Sequence, residues 1–125
     1  MTNHKFFYFL LLIISSIYTQ TIFHKNIDQL MSDQEIIIEA LIDVNYSNIK
    51  KVILHYKSSH QIKYLESEMI LNKKSFFVGV VPKDYLKEGY LHYYISLELI
   101  NNKLFSYPYN NPIEFPLIIQ ILNKQ

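Results

Sequence analysis

Leu91-His92-Tyr93-Tyr94-Ile95-Ser96-Leu97-Glu98-Leu99 is the longest stretch of unbroken alternation in the sequence. Leu91, Tyr93, Ile95, Leu97 and Leu99 fall on one side of an extended chain, and His92, Tyr94, Ser96 and Glu98 on the other. A helix would scatter the apolar set around its axis, whereas a strand gathers it onto one buried face. The same period recurs upstream. From Glu35 to Val44 every even position is apolar, while Glu35, Glu39 and Asp43 lie among the odd ones. Between about Ile49 and Lys57, Val52, Leu54 and Tyr56 alternate with Lys51, Ile53, His55 and Lys57.

Turn residues punctuate these runs. Asn45, Ser47 and Asn48 close the first, Ser58, Ser59 and His60 the second, and Asn72, Lys73 and Lys74 join a weaker strand over Gln61 to Met69 to the run Phe76–Val81. That run is apolar on both faces apart from Gly79, which predicts a mid-sheet strand covered on each side. Pro82 ends it, having no N–H to give to a ladder. Lys83 to Gly89 reads as one helical or 3₁₀ turn crossing between sheets. Asn101-Asn102 is a hairpin turn, because Asn tolerates the positive φ that tight hairpins need. Lys103 to Tyr107 returns, Pro108 to Pro116 is an extended connection, and Phe115 to Leu122 makes a last strand. About seven short strands with turn signals roughly every ten residues predict an all-β fold, an antiparallel sandwich of two sheets. Eleven Tyr and eight Phe against two Gly and a single Ala agree with pleated sheet.

The amino terminus has a different character. Lys5 precedes an apolar run from Phe6 to Ile14, then Ser15 and Ser16. The run is too short for a helix across roughly 30 Å of hydrocarbon, which takes about 20 apolar residues, but it suits the apolar core of a secretory signal peptide. Residues 1–19 are therefore read as a leader helix, with cleavage before Gln20, and 20–125 as one domain. The expected location is outside the cell, in the periplasm or at the cell envelope. Contact with a membrane is expected through the leader alone, if it is not removed. The remaining charges, eleven Lys against eleven acids, are scattered and form no basic stripe for a phosphate backbone, so nucleic acid is not an expected partner. Cysteine is absent, which excludes disulfides, thiolate metal sites and thiol nucleophiles.

The succession Ile38-Glu39-Ala40, Val52-Ile53-Leu54-His55-Tyr56, Phe77-Val78-Gly79-Val80-Val81-Pro82, Leu91-His92-Tyr93-Tyr94-Ile95, then Pro108 with Asn111-Pro112 resembles bacterial extracellular immunoglobulin-like or fibronectin type III-like domains. In these a core Tyr ends the third strand, a hydrophobic-Pro pair ends the fifth, and a Tyr-Tyr pair sits in the sixth. The resemblance covers Ile22 to Leu122 and implies a packing scaffold, often one module of a larger secreted or envelope protein. Two departures stand out. There is no Cys pair and no Trp, and Tyr93 lies one residue further from Leu86 than the usual tyrosine corner.

Chemistry-bearing patterns are sparse. His24, His55, His60 and His92 lack a spaced third and fourth ligand for zinc and read as exposed strand histidines. Glu66 and Glu68 share one side of a strand and read as its solvated face. Gly79 and Gly89 stand alone, with no phosphate-cradling loop and no Gly-x-Ser-x-Gly elbow. Asn45-Tyr46-Ser47 matches a glycosylation acceptor. No cofactor is expected. With Tyr93 in the core, Tyr94 faces outward, and Tyr107 and Tyr109 flank the proline-bearing segment, so Tyr94, Tyr107 and Tyr109 are the candidate binding residues. The expected function is a secreted, non-catalytic interaction or structural module with a protein or glycan partner. Two alternatives are a carbohydrate-binding module stacking sugars on those tyrosines, and assembly through the free edge of the first or last strand.

Overall fold

The computed structural model describes residues 20–123; the leader assigned to 1–19 and the last two residues lie outside them. The described residues form ten strands, β1 (Ile22–Phe23), β2 (Gln29–Met31), β3 (Ile36–Ile42), β4 (Ile49–Ser58), β5 (Leu65–Glu68), β6 (Ile70–Leu71), β7 (Phe77–Val81), β8 (Gly89–Leu99), β9 (Leu104–Tyr107) and β10 (Leu117–Leu122). They form two sheets, ordered β1-β3-β7-β6 and β2-β10-β8-β4-β5, with β9 also paired to β8. One edge of β8 is thus shared end to end, by β10 over Gly89 to Tyr93 and by β9 over Ile95 to Glu98.

Local chemistry sets the boundaries. Asn45 accepts from the Ser47 amide and hydroxyl, capping the 3₁₀ turn Tyr46–Asn48 that leads into β4. Asn72 holds the β6–β7 turn by accepting from the amides of Lys74 and Phe76. Asn102 takes φ 68° in the β8–β9 turn, while Asn101 accepts from the Lys103 amide. Pro82 ends β7 and starts the 3₁₀ turn Lys83–Tyr85, which carries the chain from the smaller sheet to the larger. Gly89 opens β8 at φ 133°, a conformation that side-chain-bearing residues avoid.

The alternation expected from the sequence is what packs. Ile36, Ile38, Ala40 and Ile42 of β3 meet Val52, Leu54 and Tyr56 of β4 and the five inward residues of β8 in a single core. At Gly79 there is no room for a side chain: a Cβ there would stand 3.0 Å from Met69 Cγ and 3.1 Å from Leu54 Cβ.

Several expectations are corrected. Among the described residues the strands number ten rather than seven, because β1 and β2 form in a stretch too short to show a period and β6 separates from β5. The fold is not wholly antiparallel: β2 runs parallel to β10, pairing Gln29 with Gln120, because the chain passes from one sheet to the other between Phe23 and Gln29. Val78 and Val80 of β7 are half-buried rather than covered, and Ile37, Leu41 and Phe23 beside them are exposed. The strands first and last in the sequence reading, β3 and β10, are both interior, flanked by β1 and β7 and by β2 and β8. The sheets end instead in β1 and β6 and in β2 and β5, so the edges belong to the short strands.

Tyr93 is fully buried, and its hydroxyl meets the segment between β1 and β2. His24 Nδ1 lies 2.7 Å from the Glu39 carbonyl oxygen and so must donate to it. This leaves Nε2 to accept from the Tyr93 hydroxyl at 2.7 Å. Both ring nitrogens are satisfied by the neutral imidazole, and burial holds His24 below its usual pKa of 6.5 despite the opposing pull of the Glu39 carbonyl. In the unfolded chain the ring takes up a proton that the folded chain refuses. Above about pH 6.5 neither state binds it; as pH falls below, stability drops. Half-buried His55 and His92 are displaced the same way by burial, so they add to the trend. Thermal unfolding should therefore move to lower temperature between about pH 7.5 and pH 5, and His24→Asn should be less stable at neutral pH with a shallower decline. An acid-insensitive midpoint over that window would refute this account.

Candidate functional site

The outer face of the larger sheet carries a concavity of about 810 Å³, within the range of small-molecule pockets. Its floor follows from register. His55 pairs with Tyr94 and with Glu66, and Ser96 pairs with Ile53 on one side and Ser106 on the other. Residues two apart share a face, so Lys51, Ile53 and His55 of β4 lie beside Tyr94, Ser96 and Glu98 of β8, with Glu66 of β5 at one flank and Ser106 of β9 at the other.

His55 is the centre of this floor. Its ring stacks on Tyr94, with centroids 4.2 Å apart and planes 7° from parallel, and Tyr64 meets Tyr94 edge-on at 5.0 Å. The His55 side chain is 12% exposed, so the expectation of an exposed strand histidine does not hold. Its Nδ1 faces the Glu66 carboxylate at 3.7 Å, which assigns the imidazole proton to that nitrogen, since a lone pair aimed at a carboxylate would be repelled. Nε2 then accepts from the Ser96 hydroxyl at 2.7 Å. Burial lowers the His55 pKa, Glu66 raises it, and Lys51 lowers it again, with the net shift downward. Glu98 takes Lys50 and Lys51 on its two carboxylate oxygens, at 3.4 and 3.7 Å.

The three candidate tyrosines reach this concavity in different ways. Tyr94 forms part of its floor, and Tyr109 stands at its rim, 74% exposed. Tyr107 pairs with Ile95, an inward residue, so its ring turns to the inner side of β9. There it packs edge-on to His24 at 6.1 Å, and its hydroxyl donates to Asn26. It lines the concavity as a half-buried ring. Sequence reasoning missed Ser96 as a partner of His55 and Glu66. The signal was the shared outward phase of all three, which becomes contact once β5, β4 and β8 are laid side by side. Across the same face, His92 pairs with Lys57, two positions from the His55–Tyr94 pair, and Glu68 pairs with Ile53.

No family model matches the chain, and no curated protein matches it.

Proposed function

We propose that this chain is an extracytoplasmic, non-catalytic binding module of the immunoglobulin-like or fibronectin type III-like kind, and that it holds a carbohydrate on the outer face of its larger sheet. The observation that carries this reading is the convergence of Tyr94 and Tyr109 with Ser96, Ser106 and Glu66 on one concavity. Rings offer contact area at low entropic cost, and the interleaved polar atoms match the alternating apolar and hydroxyl character of a sugar. The leader-like residues 1–19 support delivery across a membrane, where glycans are met.

Glu66, His55 and Ser96 have the order of an acid–base–nucleophile relay, but the surroundings favour binding over turnover. Ser96 sits mid-strand with ladders on both sides, so nearby backbone amides are committed to the sheet. A developing oxyanion needs such donors free. The test is a glycan array and titration calorimetry on the purified domain, with hydrolysis of the bound sugars followed in parallel. Saturable binding without turnover supports the reading; turnover, or no binding by any glycan class, overturns it.

A further inference from the structure

Resting on that carbohydrate reading, we infer that the site selects by hydrogen-bond polarity and charge: it takes glycans that present donors and bear no negative charge, neutral or amino-bearing sugars, and rejects uronic acid, sulfated and phosphorylated ones.

The placement of protons sets the polarity of the site. A serine hydroxyl has one proton and two lone pairs. Ser96 turns its proton to His55 Nε2, at 2.7 Å. Ser106 turns its own to the Pro108 carbonyl oxygen, at 2.9 Å. Both hydroxyls lie along the concavity and keep lone pairs for a ligand. The His55 proton is directed at Glu66. Lys51, the ammonium on the floor, is drawn to Glu98 at 3.7 Å and is the one cationic donor among the described residues of the lining. Charge points the same way: Glu98 is offset by Lys50 and Lys51, which leaves Glu66, its side chain 63% exposed and facing a neutral imidazole, as the carboxylate of the described lining with no ammonium beside it. A sugar hydroxyl, an acetamido N–H or an ammonium can donate to Ser96, Ser106 and Glu66. A uronate or sulfate oxygen would set lone pair against lone pair and anion against anion, in a partly desolvated hollow where such repulsion is poorly screened.

The test is an array and calorimetry panel of neutral, amino-bearing and acidic oligosaccharides, run on the wild-type domain, Glu66→Gln and Ser96→Ala. Expected are binding of neutral and amino sugars, at least about tenfold weaker binding of acidic sugars matched in length and linkage, and an amino-sugar preference that fades with salt. Glu66→Gln should reduce the amino-sugar preference and the discrimination against acidic sugars while leaving neutral binding in place; Ser96→Ala should weaken neutral and amino sugars several-fold. If acidic sugars bind as well as neutral ones, or Glu66→Gln leaves the ranking unchanged, the polarity inference fails and the carbohydrate reading survives. If no class binds the wild-type protein, both fail together.

Discussion

Leu54→Ala should lower the free energy of unfolding by about 2–5 kcal/mol, the range for emptying a fully buried leucine site. It should also change what Gly79→Ala does. Leu54 is 0% exposed and packs against Gly79 of the facing sheet, so its loss leaves a cavity that rigid strands on both sides close poorly. In the wild-type background Gly79→Ala forces a methyl group to within 3.1 Å of Leu54 Cβ and Cδ2 and 3.0 Å of Met69 Cγ, an overpacking that costs about 1–3 kcal/mol. With Leu54 shortened, the Cδ2 contact vanishes and the new methyl partly fills the hole. The double variant should thus be more stable than the two single losses add up to, by a coupling of about 0.5–3 kcal/mol in urea unfolding. Strict additivity would show that the layers are not in contact at this point.

The candidate tyrosines should separate by what they affect. Tyr94→Ala removes the ring that fixes His55 and forms part of the floor. Tyr109→Ala removes an exposed ring at the rim. Each should weaken glycan affinity by about tenfold or more, roughly 1.4 kcal/mol for each factor of ten, while the unfolding midpoint moves little for Tyr109→Ala. Tyr107→Ala should act chiefly on stability, because its ring packs beside His24 and against the core. Calorimetry and thermal unfolding on the three variants read both quantities at once. A Tyr107→Ala protein with full stability and no binding would reverse the assignment, and Tyr94→Ala and Tyr109→Ala proteins with unaltered affinity would remove the concavity from consideration.

What the sequence made legible was whatever repeats often enough to show a period. β3, β4 and β8 each carry at least three inward residues in strict alternation, and the Asn-bearing turns beside them declare themselves by side-chain chemistry. β1 and β2 are two and three residues long, too short to establish any period, and the parallel pairing of β2 is decided by the crossing before it. The same limit governs the site. The outward phase of Tyr94 was readable, but the contact among Glu66, His55 and Ser96 depends on the register between three strands. The phase of Tyr107 was not readable, because β9 is a four-residue strand whose inward side is fixed by Ile95 across the ladder.

The alignment of β2 with β10 has a mechanical consequence. These strands lie near opposite ends of the chain and run side by side in the same direction, with Ser32 donating to the Leu122 carbonyl and Gln120 to that of Asp28. Tension between the two ends first peels away β1, then drags β2 and β10 past each other lengthwise. Their rungs are loaded together instead of opening one after another like a zipper, so the domain resists stretching between its two ends.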